Sequence, residues 1–347
     1  MPSEALYYNA ALLRLQGPSR TLRDLYKRHR SWQRVWDNLS TATTKQLSPL
    51  EEWEKLKEGR VELILIDDNR YPSILREIPW PPLGLYVKGE IVILEGSAVA
   101  LVGTRKATRE GITLAEDMAT EIAQAGLVVV SGLALGIDGA AHRGCLKGRG
   151  RTIAVLAGGL DRPYPRLNAQ LAEEILKGGG ALVSEYPLGT PALPHQFLER
   201  NRIVSGLSKG VVIVEAPSKS GALVTARFAL EQGRDVYVLP GPARHPHFEG
   251  SHALIREGAV LVTTAYHILE ALQPQLPIRS TTREKSDEFS LTAEEGAVLK
   301  ILKKRSKPAS IQEIINETNL EAKTVSQTVS YLLLKGALRE TEEGYSI

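Results

Sequence analysis

The chain has almost no cysteine. Cys145 stands alone among 347 residues, which excludes an intramolecular disulfide and any zinc site built on several thiolates, and matches the usage of a reducing compartment. Long apolar runs are also missing: none reaches the ~18 residues that a membrane-spanning helix requires. The opening Met1-Pro2-Ser3-Glu4 lacks the basic and apolar regions of an export signal. A cytoplasmic protein with no membrane insertion is expected. Nor is one charge sign in excess, since 43 Lys+Arg stand against 40 Asp+Glu, for a net charge of +3. By segment the balance is +3 over residues 1–58, 0 over 59–272, +1 over 273–287 and −1 over 288–347. No segment is a basic domain, so any anion site has to be made locally, by a few cations that loops bring together.

What is present is a folded chain of two or three domains, 43% hydrophobic and 24% charged. Residues 1–58 show helical apolar spacing (Leu12, Leu13, Leu15, then Leu22, Leu25, Tyr26, Trp32, Val35, Trp36, Leu39), broken by Gly17-Pro18. A small helical domain is expected. Its polar face carries Arg20, Arg23, Lys27, Arg28, Arg30 and Arg34, which suits either phosphate contact or plain solvation. From 59 to 272 short Val/Ile/Leu runs alternate with helix-length segments: Val61 to Ile66, Val99 to Val102, Leu127 to Val130, Thr152 to Leu156, Ala181 to Val183, Val211 to Val214, Asp235 to Leu239 and Ala259 to Val262. Runs without polar alternation are strands buried on both faces, and their alternation with helices predicts an α/β domain, a doubly wound parallel sheet with right-handed crossovers. Residues 273–287 read as a linker. Over 288–347 the pattern predicts helices at Leu291 to Leu302, Ser310 to Thr318 (with a Ser310/Glu313 capping box) and Glu321 to Lys335, then a hairpin turning near Gly344. That is a winged-helix arrangement, and Lys323, Thr324, Ser326 and Gln327 on its third helix suit either a DNA groove or a protein contact.

In a doubly wound sheet ligands lie beyond the carboxyl ends of the strands. Gly103-Thr104-Arg105-Lys106 follows the second run and precedes a long helix, which is a phosphate-binding arrangement. Ser131-Gly132 follows the third, with Asp138 expected to cap the helix that carries His142. Arg162, Tyr164, Arg166 and Asn168 follow the fourth. Phe197, Arg200, Asn201 and Arg202 come after the fifth, and Lys219, Ser220 and Gly221 after the sixth. Seven cations (Arg105, Lys106, Arg162, Arg166, Arg200, Arg202, Lys219) thus come from four connections, with Tyr164 and Phe197 among them. Cations for phosphates interleaved with flat rings for bases are what single-stranded nucleic acid requires. The competing expectation is that individual arginines pair with Glu185, Glu199 or Glu215.

Other chemistry fails on context. No G-x-x-x-x-G-K-[ST] occurs. Gly206-Leu207-Ser208-Lys209-Gly210 matches G-x-S-x-G, but a helix precedes it and a strand follows, the reverse of a nucleophile elbow. No H-E-x-x-H occurs, and His245 and His247 lie in a proline-rich loop; no metal and no cofactor is expected. Gly132, Gly136 and Gly139 are not spaced as a dinucleotide fingerprint.

Gly103-Thr104-Arg105, Ser131-Gly132-Leu-Ala-Leu-Gly136-Ile-Asp138-Gly-Ala-Ala-His142, Tyr164-Pro165-Arg-Leu-Asn168, Arg200-Asn201-Arg202-Ile203-Val204-Ser-Gly-Leu-Ser208 and Lys219-Ser220-Gly221-Ala-Leu-Val-Thr225 together resemble the DprA/Smf family of DNA-processing proteins, over essentially the whole chain. The resemblance implies a Rossmann-like centre, an N-terminal part like a sterile-alpha-motif or helix-hairpin-helix domain, and a winged-helix end. It implies a non-enzymatic protein that binds and protects incoming single-stranded DNA in natural transformation, helps load the RecA recombinase, and dimerises through its Rossmann-like domain. Arg105 and Lys219 match the anion pocket, and Phe197 the stacking ring. One departure is Gly250-Ser251-His252-Ala253-Leu254-Ile255, where the family has Gly-x-Asn-x-Leu-Ile. Two other readings compete with this one. A nucleotide-hydrolysing enzyme of similar fold carries P-G-G-x-G-T-x-x-E, whereas Glu215-Ala-Pro-Ser-Lys-Ser-Gly221 lacks the double glycine and the trailing glutamate. A winged-helix regulator of duplex DNA would bind through residues 288–347.

Overall fold

The structure, a computed structural model, describes residues 3–40, 47–272, 292–305, 307–318, 320–334, 337–341 and 344–346. Two compact units divide at residues 276 and 277. The expected linker 273–287 lies outside the described residues, as do Leu291 and Lys335 at the ends of two expected helices.

The first unit opens with four helices, α1 (Ser3–Arg14), α2 (Arg20–His29), α3 (Trp32–Ser40) and α4 (Pro49–Glu58). Ser19 and Ser48 cap α2 and α4 by accepting from Leu22 N and Glu51 N, and Pro49 supplies the preset φ of a first helical residue. A nine-stranded sheet follows, built from β1 (Glu62–Leu65), β2 (Gly84–Gly89), β3 (Ala98–Val102), β4 (Val128–Ser131), β5 (Thr152–Val155), β6 (Ala181–Ser184), β7 (Gly210–Ile213), β8 (Asp235–Val238) and β9 (Val260–Leu261) in the order β1-β2-β6-β5-β4-β3-β7-β8-β9. Its connecting helices are α5 (Ser73–Arg76), α6 (Arg109–Gln124), α7 (Ile137–Lys147), α8 (Ala169–Lys177), α9 (Pro194–Gly206), α10 (Ala222–Glu231) and α11 (Glu249–Arg256), and α12 (Ala265–Leu272) follows β9.

From β6 through β9 every pairing is parallel, and β3 to β7 are buried at each residue. The central domain is therefore the mixed α/β, parallel-dominated sheet that the uninterrupted apolar runs call for. The expectation of purely parallel pairing is corrected at one edge. β1 pairs antiparallel with β2, and β2 antiparallel with β6; β2 was not among the expected strands. Its apolar core, Leu85 to Val87, is only three residues long and stands between Pro79-Trp80-Pro81-Pro82 and Gly89, where breakers outweigh the strand signal.

Alternate strand residues feed two cores. Ala100, Val102, Ile153 and Val155 pack with Ile203, Val204 and Ala226 on one face. Ala154 and Leu182 pack with Leu171 and Ile175 on the other, where Tyr8, Leu12, Leu22, Trp32, Val35 and Leu56 join the same cluster. Residues 1–58, read above as a domain of their own, thus share a hydrophobic core with the sheet, because four short helices bury too little apolar surface by themselves.

The second unit holds α13 (Ala293–Lys304), α14 (Ile311–Thr318), α15 (Ala322–Leu334) and an antiparallel hairpin, β10 (Arg339–Thr341) with β11 (Gly344–Ser346). Tyr345 also bridges Ala309. The Ser310/Glu313 box is present, with Glu313 accepting from Ser310 N at 2.8 Å and Ser310 Oγ from Glu313 N at 3.3 Å. Val298, Leu302, Ile314, Val325, Val329 and Leu332 form its core. Lys323 and Gln327 on α15 are exposed.

Candidate nucleic-acid interface

From β3 the chain runs outward to β4, β5 and β6, then returns through α9 to β7 on the other side of β3. The sheet reverses its winding between β3 and β7, and the loops leaving these two strands part there, which opens a crevice. A cavity of about 450 Å³ lies at this point, lined by Gly103, Thr104 and Arg105 after β3, by Gly132 and Asp138 after β4, by Phe197, Arg200 and Asn201 from α9, and by Lys219, Ser220 and Gly221 ahead of α10.

The wall after β3 is held from behind by Glu215, which is wholly buried. Its carbonyl accepts from Thr104 N at 2.8 Å. Its carboxylate accepts from Thr108 Oγ1 at 2.7 Å and from Thr108 N at 3.1 Å, while His247 Nδ1 lies 2.5 Å from it. Thr108 in turn caps α6 by accepting from Gly111 N. The carboxylate so occupied leaves Arg105 exposed on the turn, its guanidinium carbon 4.7 Å from the centroid of Phe197. Phe197 meets Tyr164 edge-on at 5.7 Å. Gly103 has no room for a side chain, since a Cβ there would stand 2.5 Å from Ile137.

The floor is Arg200, 4% exposed. It donates through Nη1 to the carbonyls of Gly132 at 2.6 Å and of Val155, and through Nε to Asn201 Oδ1 at 3.3 Å. Burial draws its pKa down to about 10, against the opposing pull of Asp138. Burial likewise pushes Asp138 up, opposed by Arg200 and by hydrogen bonds from Ala134 and Gly132. Asp138 accepts from Gly132 N at 3.1 Å, while the residue before α7 is Gly136; the carboxylate expected to cap α7 instead ties down the β4 turn.

The sequence-derived candidates therefore separate by environment. Arg105, Lys219 and Arg200 reach the cavity, the first two exposed and the third buried. Arg202 does not line it: its guanidinium grips Glu185 at 2.6 and 2.8 Å, and although burial lowers its pKa, Glu185 outweighs that and the net displacement is upward. Arg162 is exposed, 3.5 Å from Asp161, and Lys106 and Arg166 are exposed away from the cavity lining. Ser131 and Asn168 are buried. Ser131 donates to Leu101 O at 2.6 Å, and Asn168 Nδ2 donates to Leu133 O and Ala134 O at 2.9 and 3.0 Å, so both shape the β4 loop from below. Asn201 Nδ2 donates to Gly221 O at 3.3 Å, and Ser220 Oγ accepts from Ala222 N at 3.2 Å. Sequence reasoning passed over Leu198 and Thr225 in the lining. Leu198 follows Phe197 directly, which was the available signal. His252 Nε2 donates to Gly241 O at 3.1 Å, outside the cavity.

Among the described residues no group of three or more His, Cys, Asp or Glu is placed to hold a metal, and no helix is long and apolar enough to cross a membrane.

Fold and site define a doubly wound α/β protein with a cationic, aromatic-rimmed crevice at its switch point. A family model described as DNA recombination-mediator protein A matches residues 62–273, more than half of the chain, and the chain belongs to that family. It is similar to Protein Smf of Escherichia coli, 48% identical over 218 residues, 63% of this chain and 58% of that protein. The match thus spans little more than half of that relative's length. Among solved structures it resembles DNA processing protein A from Streptococcus pneumoniae, with 37% identity, a TM-score of 0.62, and 68% of this chain and 80% of that one covered. It also resembles DNA processing protein A from Helicobacter pylori, whose structure is described as showing a single-stranded DNA binding mode, with 31% identity, a TM-score of 0.56, and coverage of 61% and 95%.

Proposed function

We propose that this chain binds single-stranded DNA at the β3/β7 crevice and acts, without catalysis, as a mediator of recombination. The observation that carries the reading is the stack of the exposed Arg105 on Phe197, across the crevice from Lys219. Two cations meet phosphates while the ring accepts an unstacked base, a combination that a duplex with its bases paired inside cannot use. The family relationship supports the rest: protection of incoming DNA and loading of the RecA recombinase on the bound strand. A homodimer through the Rossmann-like domain is supported by the sheet edge at β9, where Val260, Leu261 and Tyr266 are exposed. Residues 288–347 serve as a winged-helix domain. The test is Arg105→Ala combined with Lys219→Ala. Affinity for oligo-dT at fixed salt falls, and the preference over duplex narrows; unchanged affinity overturns the assignment. Removing residues 288–347 leaves single-strand binding in place, which separates this reading from a winged-helix regulator.

A further inference from the structure

We propose that Trp80 is a second base-stacking platform for single-stranded DNA, outside the crevice but on the same edge of the sheet; this rests on the reading of the crevice given above. Trp80 is 63% exposed, although burying an indole is among the most favourable things a fold can do with it. Its surroundings are not loose. Arg202 Nε donates to Trp80 O at 3.0 Å, Arg23 Nη2 to Pro81 O at 2.7 Å, and the buried Tyr71 hydroxyl to Pro82 O at 2.8 Å. Three successive carbonyls are tied down, and Pro79, Pro81 and Pro82 have φ fixed by their rings. Backbone of this kind displays the indole outward in one place, so little ordering remains to be done when a flat ligand stacks on it.

Register places the loop beside the DNA site. Gly84, the first residue of β2, pairs with Leu65, and Tyr86 pairs with Ser184, the last residue of β6. Because β2 runs antiparallel to β6, residues 80–83 emerge at the edge where β3, β5, β6 and β7 end. Arg202, which holds the Trp80 carbonyl, lies on α9 with Phe197 and Arg200, and at 1.5 Å per residue its Cα is about 7.5 Å along the axis from that of Phe197. On the other side, Arg23 belongs to α2, where Arg20, Arg23 and Lys27 recur at helical spacing on one face and Arg20 and Lys27 are exposed. The indole therefore stands between the crevice and a row of cations. A strand leaving the crevice meets a ring for a base and then charges for its phosphates, the pattern of surfaces that track single strands.

The experiment is Trp80→Ala in the full chain, titrated with a length series of oligo-dT at fixed salt. Stacking of about 1–3 kcal/mol per base converts to an affinity for long strands about 5- to 150-fold weaker. Strands too short to extend beyond the crevice bind as they do to the parent, and Trp80→Phe restores most of the loss on long ones. Parent-like affinity of Trp80→Ala at every length overturns the proposal and leaves the ring to a protein partner. Equal loss at all lengths without rescue by phenylalanine overturns it as well. If the parent chain binds no oligo-dT, the crevice reading fails instead.

Discussion

Arg202 and Glu185 meet as a two-pronged ion pair, Nη2 to Oε1 at 2.6 Å and Nη1 to Oε2 at 2.8 Å, with side chains only 13% and 5% exposed. A cation read from its neighbours in sequence as one more phosphate contact is committed to a buried carboxylate. Arg202→Ala strands Glu185, and breaking such a pair costs about 3–5 kcal/mol. Replacing both partners, Arg202→Met with Glu185→Leu, recovers most of it, because no buried charge is left alone. Urea denaturation of the two variants and the parent checks the difference.

Gly132 and Arg200 occupy one space. A Cβ on Gly132 would meet the Arg200 guanidinium, which the carbonyls of Gly132 and Val155 hold in place. Gly132→Ala displaces the arginine and leaves those acceptors dry, at about 1–3 kcal/mol each. In an Arg200→Ala background the added methyl finds a hole and costs far less. The non-additivity, read from thermal or urea unfolding, is the measure of the contact; additive losses would show that the two residues do not compete.

His142 is wholly buried beside Thr152, whose hydroxyl donates to Val129 O and so accepts from His142 Nδ1. Burial, helped by Arg200 and Arg143, lowers its pKa from 6.5 to about 3. The unfolded chain therefore takes up this proton first as pH falls. The stability due to the neutral folded form is complete above pH 6.5 and is lost progressively as pH approaches 3. His142→Asn keeps a donor toward Thr152 but cannot titrate, so its unfolding midpoint declines less steeply over that window than the parent's. Parallel declines would count against the assignment.

Arg105 and Phe197 divide the work of binding differently. Removing one phosphate contact to a single strand with Arg105→Ala reduces the slope of log affinity against log salt by about 0.7. Phe197→Leu keeps every charge, so it weakens oligo-dT binding by about 1–3 kcal/mol at an unchanged slope. A salt titration of both variants distinguishes charge from stacking, and a changed slope in Phe197→Leu would mean that the ring serves chiefly to hold Arg105.

Much of the architecture follows from local pattern. Val211 to Val214, or Val99 to Val102, can only be strands covered on both faces, and Gly103-Thr104-Arg105 and Lys219-Ser220-Gly221 stand at strand ends wherever such a sheet is built. Those two turns line the crevice because parallel strands deliver their carboxyl ends to one edge. By itself, then, the sequence determined the doubly wound sheet, the edge that carries the site and the turns that open it, since hydrophobic periodicity and turn chemistry act over a few residues. Only the tertiary structure decided which cations point into the crevice. Arg200 is drawn beneath Gly132, Arg202 is taken by Glu185, and Arg105 remains on the surface against Phe197. It also decided that β2 joins antiparallel and that the helices of residues 1–58 share the sheet's core. A side chain's partner is set by which distant segments the fold brings within 3 Å of it, and burial then determines whether its charge is held inside or left free to meet a ligand.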